Sequence, residues 1–193
     1  KTATAQKQKA VLLDIGVSLV DPNISYETNR LDEFPDVRKA ESVYLAYELS
    51  QELNEQGIWA AVRVVPNSNQ FTDVLVNAAI LHSSGDRLEL AVLAKDSSGK
   101  VWLDKTYSKT ANKYSYESPK KFSEAPFLSV YREIANDLFE SLEALSWSER
   151  VEIREISKLE FSRFLLAPRF DEYIITNEAG ITELKRLPAD NDP

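Results

Sequence analysis

The order of hydrophobic periods along these 193 residues predicts an α+β fold, with a mixed or antiparallel sheet, two main helices packed on one face, and a C-terminal helix and hairpin extension. Three observations carry that prediction. The turn signals Ser83-Ser84-Gly85-Asp86 and Asp96-Ser97-Ser98-Gly99 separate three short alternating runs, as in an antiparallel meander. Two long segments have helical spacing, one stopping at Gly57 and the other opening at Ala125-Pro126. A strand-type run stands on each side of the first helix, so the order reads β-α-β-β-β-β-α before the extension begins.

Ala10–Val20 is rich in aliphatic and β-branched residues and stops at Asp21-Pro22, which reads as a strand buried on at least one face. Residues 21–34 form a polar loop. Pro35 suits the first turn of a helix and Asp36 its positive end. From there to Gln56, Val37, Ala40, Tyr44 and Tyr47 make one row, with Leu45, Leu49 and Leu53 beside it, and Gly57 supplies a left-handed stop. Ile58–Val65, Asp73–Leu81, Arg87–Ala94 and Val101–Tyr107 are the next four strands. The alternation puts Leu88, Leu90 and Val92 on one face and Arg87, Glu89 and Ala91 on the other. If the first two strands are parallel, the helix between them is a right-handed crossover.

Thr110–Ser123 is polar and reads as a long loop. The second helix then presents Phe127, Tyr131, Ile134, Leu138, Leu142 and Leu145 in steps of three and four, with Arg132, Glu133, Asp137, Glu140 and Glu143 opposite. Ser146–Ala167, with Ile153, Ile156, Leu159, Phe164 and Leu165, fits a third helix; Val151 and Ile153 also alternate, so a strand in part of that span is the competing reading. Tyr173–Thr176 and Ile181–Leu184 flank Asn177-Glu178-Ala179-Gly180 as a hairpin, which extends the domain because two strands alone are marginal. The organisation is a lead-in at 1–9, an α/β domain at 10–145, and a helix-and-hairpin extension at 146–193.

Hydrophobic residues make up 43% of the chain, enough for one core, and charged residues 28%, an ordinary globular share. The net charge of −8 argues against nucleic acid as a partner, since phosphate contacts need clustered Lys and Arg. No run of five like charges and no apolar stretch near the ~20 residues of a membrane span occurs. With no cysteine there is no disulfide, thiolate nucleophile or thiolate metal ligand. The polar start, Lys1 to Lys9, reads either as a tether to a membrane anchor or as a bland terminus.

Chemistry-bearing motifs are scarce. The single histidine, His82, lies at a strand end beside a turn, without the Ser and Asp of a triad or the partners of a metal site. Five glycines, at 16, 57, 85, 99 and 180, form no phosphate-cradling loop, nucleophile elbow or calcium loop. Glu48, Glu52, Glu55, Glu140 and Glu143 fall on polar helix faces, where solvation explains them. No catalytic residue, cofactor or metal is therefore expected. The aromatic set remains. Trp59 and Trp102 lie in predicted strands, where they either cover the sheet or serve a binding surface; Tyr107, Tyr114 and Tyr116 have no core-like spacing and are expected to be exposed. Trp102, Tyr107, Tyr114 and Tyr116 are the candidate partner-binding residues.

From Ala40 to Leu145 the chain carries an ordered pattern: AESVYLAYELSQELNEQGIW, then TDVLVNAAILHSSGDRLELAVLAKDSSGKVWLDKTY with its Asp-x-x-Gly-x-x-Trp turn, then VYREIANDLFESL. This resembles the fold family of the amino-terminal domain of periplasmic TolB and its relatives among Gram-negative envelope lipoproteins. The resemblance covers a little over half of the chain. It implies a periplasmic, outer-membrane-anchored lipoprotein that grips an envelope protein partner without catalysis, touching the membrane only through a lipid anchor that this chain lacks. The sheet edge or the 107–124 segment would be the grip. The competing expectations are a carrier for a small ligand or lipid, with a pocket between sheet and helices, and a carboxylate-dependent glycan hydrolase with two converging acids.

Overall fold

The computed structural model describes residues 11–23, 35–66, 71–110, 127–166 and 169–188. Its elements run β1 (Asp14–Ser18), α1 (Pro35–Glu55), β2 (Ala61–Val65), β3 (Val74–Ser83), β4 (Arg87–Asp96), β5 (Val101–Thr110), α2 (Leu128–Glu143), α3 (Trp147–Leu166), β6 (Ile174–Thr176) and β7 (Thr182–Leu184). The five-stranded sheet has the order β2-β1-β3-β4-β5, with β6 and β7 as a separate hairpin. β1 pairs in parallel with both β2 and β3, and β3, β4 and β5 are antiparallel, so the sheet is mixed. The predicted α+β class holds, and the long runs of 3.6-residue spacing became helices because each buries one face on that sheet.

Alternation along each strand sorts the side chains into two faces. Inward stand Ile15 and Val17, then Val74, Val76, Ala78 and Ile80, then Leu88, Leu90, Val92 and Ala94, all at most 8% exposed. Leu103 and Tyr107 of β5 complete that face, and α1 and α2 cover it with Leu45, Leu49 and Leu53, and with Tyr131, Ile134, Leu138 and Leu142. Each fully buried aliphatic side chain contributes roughly 1.5–3 kcal/mol, and this layer is the main core. Among the described residues no helix covers the opposite face in the same way. Its central residues, Asn77, Ala79, Ala91 and Leu93, remain half-buried.

Several boundaries differ from the sequence reading, for identifiable reasons. The first strand is Asp14–Ser18 rather than Ala10–Val20, yet Leu13 and Val20 flank it fully buried and Asp21 makes an isolated bridge to Ala79. The second strand starts at Ala61, not Ile58, so Trp59 lies in the bend before it and not in a strand. That bend lets the Trp59 ring pack against Trp102 at 6.5 Å between centroids. Gly57 has φ +65°, the left-handed stop its position after α1 requires. Along α1 the row Leu45, Leu49, Leu53 is buried, whereas Val37, Tyr44 and Tyr47 are half exposed. Residues 146–167 settle as a helix and not a strand. Its first half joins the main core through Ile153, and Leu159 instead packs with Tyr173 and Ile174 under the hairpin. The lead-in at 1–9 and the Ala125-Pro126 helix opening lie outside the described residues.

The extension is tied to the domain by polar contacts at the lower end of the sheet. The Thr182 amide donates to the Ser98 carbonyl at 2.8 Å, and the Ser97 hydroxyl donates to the Ile153 carbonyl at 2.5 Å. Arg154 of α3 donates to the Leu12 carbonyl and faces the Asp14 carboxylate at 3.8 Å. α3 therefore crosses the strand ends, from the helix layer towards the uncovered face.

Candidate functional site

The residues singled out by sequence separate into three fates. Tyr107 was expected to be exposed and is only 2% exposed. It points into the helix layer, where its hydroxyl donates to Asp137 Oδ2 at 2.5 Å. Burial pushes its phenol well above the ordinary tyrosine range, and the neighbouring Asp137 carboxylate adds to the shift. Trp102 is half-buried at a bulge of β5, and its indole N–H donates to Asp96 Oδ2 at 2.8 Å. Asp96 also accepts from the Ser98 and Lys100 amides, which makes it the organiser of the β4–β5 turn. Tyr114 and Tyr116 lie outside the described residues. His82 is exposed, with its ring Nε2 3.0 Å from the Ser84 hydroxyl in the β3–β4 turn.

Two polar clusters are structural in their geometry. Asp137 sits between Tyr107 and Lys105, whose ammonium is 2.7 Å away. Burial opposes ionisation there, but the hydrogen bonds from Lys105 and Tyr107 outweigh it and hold the carboxyl below its usual value. Asp73 is 4% exposed and accepts the Asp14 amide at 2.8 Å through Oδ2. Burial raises its carboxyl above the usual range, against the Asp14 amide and the Arg154 charge, which pull it down. Both clusters join elements and are occupied by the chain itself. Among the described residues no group of three or more His, Cys, Asp or Glu is placed to hold a metal ion.

The uncovered sheet face is different, because it is concave and its groups face outward. Ala79 and Ala91 are directly paired across β3 and β4, and Asn77 pairs with Leu93 in the next outward row. The small side chains leave a depression of about 580 Å³, lined also by Ser18, Leu19, Asp21 and Asp104. Asp21 stands beyond the end of β1 and Asp104 on the edge strand β5, and neither makes an ion pair among the described residues. A second concavity of about 300 Å³ shares Asn77 and continues over Leu75 to Phe71, Lys95 and Glu160. α3 and the hairpin wall its far end.

That wall ends in exposed aromatics. Residues 153, 157, 160 and 164 lie on one helical face, so the side of α3 that packs on the domain runs past it. In that overhang the Phe71 ring meets Phe161 edge-on at 5.8 Å and Phe164 at 5.2 Å. Phe164 is 71% exposed, and Phe161 and Leu165 are also exposed. By spacing alone Phe164 and Leu165 belong to the same helical set as Ile153, Ile156 and Leu159. Only the tertiary structure shows that Phe164 and Leu165 stay exposed at the end of the helix. The available signals for this surface were the Phe161-x-x-Phe164 spacing and small residues on the solvent face of predicted strands.

No protein-family model matches the chain, and no curated protein matches it. Solved structures do match. The PelC dodecamer from Paraburkholderia phytofirmans is 18% identical, with 67% of this chain and 91% of that chain covered and a TM-score of 0.42. Hypothetical protein CT253 from Chlamydia trachomatis is 15% identical, with 67% and 95% covered and a TM-score of 0.34. Protein XCC0632 from Xanthomonas campestris, of the family model DUF330, is 14% identical, with 80% and 90% covered and a TM-score of 0.38. At these identities and scores no residue role or partner transfers to this chain. None of the three is named as a TolB protein, and that likeness rests on the sequence pattern of residues 40–145.

Proposed function

We propose that this chain is a non-catalytic docking domain that holds a protein partner in a cell-envelope assembly. The observation that carries the docking part is the uncovered sheet face, a concave surface continuous through Asn77 with an aromatic overhang at Phe71, Phe161 and Phe164. Large apolar side chains clustered at a surface beside polar groups are what partner surfaces present, and leaving them in water has no folding benefit. The envelope part is supported by the sequence pattern of residues 40–145, which resembles envelope lipoproteins. The non-catalytic part is supported by the sole histidine bonding to Ser84 in an exposed turn, and by Asp73, Asp96 and Asp137 each being engaged by the fold.

Site-specific photocrosslinking tests the docking reading. A photoreactive phenylalanine analogue would be placed at Ala91, at Phe164 and, as a control, at Glu55 on the helix layer. In envelope extract, a discrete protein crosslinked from Ala91 or Phe164 and not from Glu55 is the expected result. Equal labelling from all three positions, or labelling of soluble proteins alone, would overturn the proposal.

A further inference from the structure

The docking reading leaves the chemistry of the partner open, and the lining of the groove narrows it. The floor is apolar and shallow: the methyls of the Ala79–Ala91 pair, with Leu93 and Leu19 at its sides. Its rim carries two carboxylates, Asp21 and Asp104, and among the described residues no Lys or Arg contributes to the lining. Asp21 uses one oxygen for the Asn23 amide at 2.8 Å, which fixes it in a turn without neutralising it. Two carboxylates on opposite sides of an apolar floor, neither in an ion pair among the described residues, attract cations, and the chain's overall charge of −8 adds to the same field. Among the described residues the first cation along the groove is Lys95, in the second concavity, where Glu160 also lines the wall.

We infer that the uncovered sheet face receives a cationic amphipathic segment of a partner protein, with small apolar side chains on the Ala79–Ala91 floor and Lys or Arg side chains between Asp21 and Asp104. This rests on the docking reading and deepens it. A helix is the natural occupant, because the covered side of the same sheet already accepts α1 and α2, and helices on both faces of a sheet make a common layered architecture. The segment's apolar end meets Phe71 and Phe161, so the C-terminal extension acts as the end stop that sets its register.

The probe is a synthetic amphipathic helix of about five turns built from Leu and Lys, titrated against the full chain at low and moderate salt. Its Leu/Glu counterpart is the control. The Leu/Lys peptide is expected to bind saturably and the Leu/Glu peptide not at all. Asp21→Asn with Asp104→Asn should weaken binding about tenfold, as the loss of two exposed pairs would. The equally charge-changing Asp36→Asn with Glu55→Gln, on the helix layer, should leave it unchanged. Ala91→Trp, which fills the floor, should abolish binding; if that variant does not fold, Asp104→Lys on the exposed edge strand serves instead.

Equal weakening by the remote pair would overturn the inference, since only net charge would then be at work. So would unchanged affinity in Ala91→Trp or Asp104→Lys. Binding of the chain to phosphatidylglycerol vesicles, lost in Phe161→Ser with Phe164→Ser and unaccompanied by peptide binding, would overturn it in favour of a lipid surface. Crosslinking of an envelope protein from Phe164 but never from Ala91 would sink the groove and leave the docking reading standing. No crosslink from either would sink both.

Discussion

Single carboxylates at this domain's joints behave in opposite ways, and Asp73 shows the sharper consequence. Burial holds its carboxyl above the value of an unfolded aspartate. The folded state therefore binds the proton more tightly; the resulting stability is present below the unfolded pKa and is lost as pH rises through the folded one. Asp73→Asn removes that ionisation and keeps an oxygen for the Asp14 amide, so it should gain on the wild type as pH rises. Asp73→Ala leaves the Asp14 amide without its partner and should cost about 2 kcal/mol at neutral pH. Urea unfolding of the three proteins across the acid range checks both; equal stability of the Asn and Ala variants would show that the amide contact carries nothing. Asp137 has the reverse sign, its folded pKa being lowered by Lys105 and Tyr107, so its contribution is lost as pH falls. None of this was visible in the sequence, where Asp137 read as one more charge on a polar helix face and Tyr107 as a surface ring. The register of β5 against β4 turns Tyr107 inward opposite Leu90, and α2 happens to bring Asp137 above it.

At the scale of elements, turns and helix stops were the most legible features, because their chemistry is local. Gly57 ended α1 where a left-handed residue was expected, and both meander turns lie between the predicted strands. The long-range duty of the β4–β5 turn was not legible. Gly99 has φ +88°, and a Cβ there would stand 2.5 Å from the Gly180 carbonyl oxygen of the hairpin. Gly99→Ala therefore combines a left-handed penalty with a collision against backbone, and should destabilise by about 2 kcal/mol. Its signature should be local: the Thr182 amide, which donates to Ser98, should lose hydrogen-exchange protection before the amides of β3 and β4 do. Uniform loss across the sheet would mean that the turn supports the whole domain and not the hairpin in particular. Helix faces were legible in part. The α2 row Tyr131, Ile134, Leu138 and Leu142 is buried as its spacing predicts, whereas α1 carries two adjacent apolar rows, of which the tertiary structure buries Leu45, Leu49 and Leu53 and leaves Val37, Tyr44 and Tyr47 half exposed.

At the scale of the molecule, one sheet face is filled and the other is open among the described residues, and neighbouring residues of β4 report that difference. Val92 is 2% exposed beneath the helices, whereas Leu93 is half-buried on the outer face. Val92→Ala should cost roughly 2 kcal/mol through lost burial and a residual cavity, and Leu93→Ala well under half of that. Thermal unfolding of the two variants decides it. A larger loss for Leu93→Ala would mean that the outer face is covered in solution, and the docking groove would then be closed. The same asymmetry explains why the extension matters beyond its size: α3 leaves the helix layer at Ile153 and ends beside that outer face with Phe161 and Phe164 packed on Phe71 and still exposed.

By itself the sequence determined the element order, the α+β class, the two faces of the meander and the places where the chain turns. These depend on period, proline and glycine chemistry and short-range hydrogen bonding, all carried within a few residues. The tertiary structure alone decided which row of α1 is buried, that Tyr107 faces inward, that Phe164 and Leu165 at the end of α3 stay exposed, and that Ala79, Ala91, Asp21 and Asp104 line one groove. Those outcomes depend on strand order and register, which bring together residues more than eighty positions apart. No local pattern encodes that pairing, because the free energy selecting it comes from burying the whole sheet face at once.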